Sequence, residues 1–142
     1  MRKPPLLLGE IVQRGVKAHL PRDVEEERAF YKKLSKIIVT GTPDFYPESR
    51  RSIYELKFMH RKPEVLEHHR LRASMYKWLS NAEHAYLLYC SPRGSKEYEV
   101  NDEFSNDNIK SLLDKRDFPM LDWECKLCVY NLKCTNKEKL RL

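Results

Sequence analysis

Three observations predict a mixed α/β sandwich built on a small sheet, followed by a cysteine-bearing tail. Amphipathic helical stretches at 6–20 and 63–82 alternate with short β-rich runs at 36–41, 52–58 and 85–90. One of those runs carries a charged pair, Glu55 and Lys57, two residues apart. Three of the four cysteines crowd into residues 125–134. The chain has 142 residues, of which 41% are hydrophobic and 34% charged, enough for one sizeable core.

The elements follow in order. Residues 6–20 read as a helix with Leu7, Leu8, Ile11, Val12, Gly15 and Val16 on one side. "PRD" at 21–23 breaks it, and Asp23 is placed to cap a second helix through Phe30 and Tyr31. "KIIVTG" at 36–41 is a strand that ends in a Gly-Thr-Pro turn. "DFY" opens the next strand, "PESRR" is a hairpin turn, and "SIYELKF" at 52–58 is the third strand. Pro63 starts a long helix to about Ala82. "AYLLYC" at 85–90 is almost wholly apolar, as a central strand would be, and "EYEV" reads as an edge strand. A last helix begins near Ser105 with Ile109, Leu112 and Leu113 inward. Residues 1–116 form the main domain, and 117–142 are an irregular tail packed on it.

Charge and hydropathy bound the function. Basic residues number 27 and acidic residues 21, a net charge of +6, which favours a polyanionic partner. No stretch is long and apolar enough to span a bilayer, so no membrane partner is expected. "MRKPPLLLGE" has too short an apolar core for a signal peptide, which points to a cytoplasmic protein with reduced or metal-bound cysteines. Arg50, Arg51, Arg61, Lys62, Arg70 and Arg72 cluster around Glu55 and Lys57 in sequence and are the candidate phosphate contacts.

Alternation along a strand sends Glu55 and Lys57 to one face, with Tyr54 and Leu56 on the other. Asp44 lies at the start of the paired strand, within reach of Glu55 in a hairpin. Two carboxylates plus the backbone carbonyl of Phe58 make a hard, all-oxygen site suited to Mg²⁺ or Mn²⁺. Such an ion polarises a phosphodiester and acidifies a water, and Lys57 is placed to offset charge on the phosphate. The other reading of the same residues is a structural ion pair at a sheet edge.

The spacing Asp44-x₁₀-Glu55-x-Lys57 across a hairpin resembles the signature of the PD-(D/E)xK nuclease superfamily. "GTPDFY" and "YELKF" are similar to its RecB-like branch. "LGEIVQ" at 8–13 resembles that branch's G-x-x-x-H helix motif, with Gln13 in place of histidine. "HHRLRASMY" at 68–76 resembles H-x-x-Q-x-x-x-Y, with Arg72 in place of glutamine. On that helix His69, Arg72 and Tyr76 form one stripe, while Leu71, Met75, Trp78 and Leu79 form the face expected to be buried. "CKLCVYNLKC" at 125–134 resembles the C-terminal cysteine motif of the CRISPR-associated RecB-like exonucleases, the Cas-four family, which bind a 4Fe–4S cluster.

The resemblance implies a restriction-endonuclease-like sandwich and a metal-dependent DNA nuclease, an exonuclease by type. Asp44, Glu55 and Lys57 would be catalytic, Gln13, Arg72 and Tyr76 supporting. Its implied partners are DNA and proteins of CRISPR adaptation or DNA repair. Cys125, Cys128 and Cys134 would bind the cluster. The family's fourth cysteine lies near the N-terminus, where residues 1–8 hold none, so the chain looks shortened there. Cys90 is the spare thiol, and its residue type fits a buried strand position better. An incomplete cluster, a non-cysteine ligand or Zn²⁺ remain open. Two other functions stay in view. The fold could serve as a DNA-binding or complex-assembly module with weakened cleavage, or as a small zinc-stabilised interaction protein.

Overall fold

A computed structural model of the chain describes residues 4–59, 64–114, 125, 128–130 and 132–134, with side chains from Leu8 onward. The chain divides into two compact units, Met1–Ser105 and Asn106–Leu142.

The first unit is organised by one parallel pairing. Strand β5, Ser52–Phe58, runs alongside β6, His84–Ser91, in register from Ser52↔His84 to Phe58↔Cys90. Parallel neighbours need a crossover, and helix α2, Glu67–Ser80, supplies it. Antiparallel strands flank this pair: β4, Phe45–Pro47, with β1, Val24–Glu26, on one side, and β7, Gly94–Glu99, on the other. The sheet order is β1-β4-β5-β6-β7, so the apolar run of β6 is interior and β7 is an edge, as expected. The mixed sheet with helices against it is consistent with the restriction-endonuclease-like fold.

Alternation divides β5 and β6 between two layers. Ile53, Glu55, Ala85, Leu87 and Tyr89 are fully buried on one face, and α2 contributes Ala73, Tyr76 and Leu79 to the same core. Tyr54, Tyr86 and Leu88 line the other face, toward helix α1, Pro4–Lys17. Burying roughly this set of large side chains supplies most of the driving force, at about 1.5–3 kcal/mol each.

Helix α2 begins at Glu67, not at Pro63, which lies outside the described residues with positions 60–62. It ends at Asn81, whose left-handed backbone (φ 54°) closes the last turn. The Ala82 N–H donates to Lys77 O at 3.1 Å, a usual way to satisfy an orphan carbonyl. The buried face differs from the one the sequence suggested. Ala73, Ser74, Tyr76 and Leu79 are buried, whereas Leu71 is exposed and Met75 and Trp78 are half-buried. Of the four residues expected inside, Leu79 is buried and Met75 and Trp78 pack against the core from its margin, while Ala73, Ser74 and Tyr76 occupy its centre.

The larger correction concerns residues 23–31. They form no helix. Val24–Glu26 is β1, and Phe30–Leu34 is β2, which pairs with β3, Ile37–Gly41, as a separate hairpin. Asp23 accepts a hydrogen bond from Ser49 Oγ at 2.8 Å instead of capping a helix. The physical reason is local. Phe30 and Leu34 are four apart, which suits a helix, but Phe30, Lys32 and Leu34 also alternate, and tertiary partners exist only for the strand. Phe30 packs edge-on against Tyr46, 5.0 Å between centroids, and Lys32 Nζ donates to Trp78 O at 2.6 Å and Asn81 Oδ1 at 2.8 Å. Glu27 and Ser35 take positive φ at the two bends.

In the second unit, α3 spans Asn106–Asp114. Ile109 is buried as expected, but Leu113 is exposed. Cys125, Cys128 and Cys134 are free thiols, and among the described residues no three His, Cys, Asp or Glu side chains gather as a metal site.

Candidate active site

The β4–β5 hairpin places the two carboxylates. Its strands share a single residue pair, Phe45↔Tyr54. Beyond that pair the ladder is continued by a side chain: Asp44 Oδ2 accepts the Leu56 N–H at 2.7 Å. This bond ties Asp44 to the peptide immediately after Glu55. The other Asp44 oxygen, Oδ1, accepts from Gln13 Nε2 of α1 at 3.3 Å. Both oxygens are thus oriented by donors whose own positions are set by regular elements. Pro43 in the preceding turn is fully buried, which stiffens the approach to Asp44.

Glu55 is 0% exposed, on the α2 face of the sheet as alternation requires. Lys57 Nζ donates to its Oε2 at 2.6 Å, and Arg72 Nε lies 3.5 Å from the same oxygen. Oε1 is buried and has no hydrogen-bond partner among the described residues. An unmet buried carboxylate oxygen is costly. Burial pushes the Glu55 carboxyl above its ordinary range, the Lys57 charge opposes this, and the Asp44 charge adds to the rise. A cation at Oε1 would relieve both the desolvation and the carboxylate repulsion. The donor set, two carboxylates and an amide side chain, is the hard oxygen chemistry that Mg²⁺ and Mn²⁺ favour.

Helix α2 forms the far wall. Arg72 Nε donates to the Tyr76 hydroxyl at 3.2 Å, and its guanidinium sits 5.3 Å from the Tyr76 ring centroid. Tyr76 itself is buried and rests where β3 passes. A Cβ on Gly41 would lie 2.5 Å from Tyr76 Cε1 and 2.9 Å from Leu79 Cδ2. Glycine is therefore required at the end of β3 so that hairpin and α2 can touch. One turn earlier, His69 Nδ1 is 2.7 Å from the Tyr89 hydroxyl. Burial, then the neighbouring His68, Lys57 and Arg72 charges, lower the His69 pKa to about 4, so it is neutral at physiological pH.

Of the residues singled out from sequence, Gln13, Asp44, Glu55, Lys57, Arg72 and Tyr76 thus form one connected group. Phe58 ends β5, about 10 Å along the strand from Glu55. Of the six candidate phosphate contacts, Arg72 belongs to this group and two others are paired elsewhere. Arg51 pairs with Glu83, Arg70 with Asp102 at 2.9 Å, and Arg50 lines a cavity together with Tyr54. Arg61 and Lys62 lie outside the described residues. Cys90 is a half-buried residue near the end of β6, its thiol pKa raised by burial, in keeping with a structural role. Two contributors escaped the sequence reading. Tyr89 looked like one more apolar strand residue, and Gly41 was read only as a turn. The signal for the latter was a glycine ending a β-branched run just before Thr-Pro-Asp.

No protein-family model matches the chain. A 76-residue segment is 33% identical to the CRISPR-associated exonuclease Cas4 of Saccharolobus solfataricus, covering 51% of this chain and 38% of that protein. The chain therefore spans well under half the length of this curated relative. Its fold superposes on the crystal structure of SSO0001 with a TM-score of 0.82 and 25% identity, over 95% of this chain and 72% of that one. The resemblance to the CRISPR-associated, RecB-like PD-(D/E)xK nucleases carried by the motifs is thus borne out, in sequence over half the chain and in fold over nearly all of it.

Proposed function

We propose that the chain is a metal-dependent nuclease domain that hydrolyses DNA phosphodiester bonds, most readily from an end. The observation that carries this reading is Glu55: fully buried, one oxygen unpartnered, the other 2.6 Å from Lys57, with Asp44 anchored alongside. A structural ion pair needs no second carboxylate and leaves no orphan oxygen.

Asp44 and Glu55 would hold Mg²⁺ or Mn²⁺, which supplies Lewis acidity toward the phosphate and lowers the pKa of a water. The protein's own groups do the rest. Gln13 and the Leu56 N–H fix the Asp44 carboxylate before substrate arrives. Lys57 shares the Glu55 carboxylate and so stands where it can orient the attacking water and offset charge on the phosphate. Arg72, half-exposed and stacked on Tyr76, is positioned to meet the phosphate on the α2 side. With Cys125, Cys128 and Cys134, a 4Fe–4S cluster or Zn²⁺ would tie down the tail. The three thiols leave a four-ligand site one short, and no step of the hydrolysis runs through them.

A second reading, DNA binding with weak cleavage, is favoured by one contact. Arg72 lies 3.5 Å from the Glu55 oxygen that Lys57 already holds, and a second cation there competes with the metal. End-labelled single- and double-stranded DNA, incubated with Mn²⁺, Mg²⁺ or EDTA, separates the two. Metal-dependent products that vanish in Lys57→Ala establish the nuclease, and their ladder reports the end attacked. DNA binding without products establishes the second reading.

A further inference from the structure

The outer face of the β2–β3 hairpin has no role in the chemistry above. Its inner face, Phe30, Lys32, Leu34, Val39 and Gly41, is turned toward the rest of the unit, and every one of these positions is partly buried. The opposite face presents the register pairs Tyr31↔Thr40 and Lys33↔Ile38, all exposed. Tyr31 is 79% exposed and Ile38 66%. Among the described residues, no side-chain hydrogen bond, ion pair or ring contact engages Tyr31, Lys33 or Lys36, all of them exposed. The stretch 30–41, "FYKKLSKIIVTG", holds Lys32, Lys33 and Lys36 and no carboxylate. The arginines nearer the site are, by contrast, already paired.

We infer that this face binds single-stranded DNA, with a base stacked on Tyr31 beside Ile38 and with phosphates held by Lys33 and by Lys36 in the adjoining turn. A flat aromatic ring and a β-branched neighbour on a two-stranded ribbon offer stacking that any base can use. Two unpaired ammonium groups at the same end supply a charge complementary to a polyanion. A second copy of the chain is disfavoured as the occupant because each copy carries a net charge of +6. The location is equally suggestive. At most about 14 Å of backbone separates Thr40, the partner of Tyr31, from Asp44. The strand that carries half of this face thus runs directly into the turn that delivers Asp44. The inference rests on the nuclease reading for the nature of the polyanion, but its geometry and its test do not require cleavage.

The test is fluorescence anisotropy of labelled oligothymidylate with the full chain in EDTA, across a salt series. Tyr31→Ala should weaken binding about tenfold, while Tyr31→Phe retains it. Lys33→Gln with Lys36→Gln should lower the slope of log affinity against log salt by about 1.4. Tyr31 is 79% exposed, so thermal melts of these variants should match the wild type. Unchanged affinity in Tyr31→Ala overturns the inference, as does a loss confined to the lysine variant, which would make the contact purely electrostatic. A dimer that Ile38→Ser dissolves while DNA affinity holds overturns it too. A protein that cuts DNA yet is indifferent to Tyr31→Ala loses this inference and keeps the nuclease. One that binds through Tyr31 but never cuts keeps the inference and loses the nuclease.

Discussion

The end of β5 and the outer face of the β2–β3 hairpin both carry positive charge, and they use it in opposite ways. At β5 the cations are committed: Lys57 and Arg72 converge on one oxygen of a fully buried Glu55. On the hairpin, Lys33 and Lys36 stand in solvent beside an exposed tyrosine. The difference teaches that local density of basic residues is a poor guide to where a polyanion docks. Of the arginines that crowd around Glu55 in sequence, Arg51, Arg70 and Arg72 each already face a carboxylate, of Glu83, Asp102 and Glu55 respectively. Charge that is free to meet a phosphate lies earlier in the chain, on Lys33 and Lys36 in a stretch, 30–41, with no acid of its own.

The contrast breaks most sharply at Lys57. Lys57→Ala should reduce DNA cleavage in Mn²⁺ at least about 100-fold while leaving oligothymidylate binding in EDTA within about twofold. A matching loss of binding would mean that the two regions are one surface. Next in size is the joint between them. Gly41→Ala drives a Cβ into Tyr76 and Leu79, so it should destabilise the fold by about 1–3 kcal/mol, read from denaturant melts. Cleavage would fall with it, because Tyr76 positions Arg72.

Arg72→Gln gives a subtler effect. Removing the competing cation should lower the Mn²⁺ concentration for half-maximal cleavage by up to about fivefold, the worth of one partly exposed ion pair. A higher metal requirement would instead assign Arg72 to holding the site together. The smallest effect is a pH limb. His69 has a folded pKa of about 4 against 6.5 for the free side chain, so the unfolded chain binds the proton more readily. Its contribution to stability is complete above pH 6.5 and is lost as pH falls toward 4. Melting temperature in that window should drop less in His69→Gln than in the wild type.

The hairpin was the least legible region. Residues 23–34 satisfy a helical and a strand pattern at once, and the choice fell to partners distant in sequence, Tyr46, Trp78 and Asn81. Its inner and outer faces could not be assigned until the strand was known. The site was far more legible, because a strand's alternation is a local rule. Glu55 and Lys57 share a face whatever the rest of the chain does, and Gly-Thr-Pro-Asp announces a turn into the next strand. What stayed hidden was which charges are paired.

The sequence by itself determined β5, the β4–β5 hairpin, the crossover helix and the Asp44–Glu55–Lys57 constellation. Each follows from periodicity or turn chemistry within some ten to twenty residues. Tertiary structure alone decided that Asp44 is anchored by the Leu56 peptide and Gln13, and that Glu55 is buried with one oxygen unmet. It alone decided that Gly41 must be small to admit Tyr76. These depend on which groups lose water together, and desolvation is a property of the assembled layers, not of any segment within them.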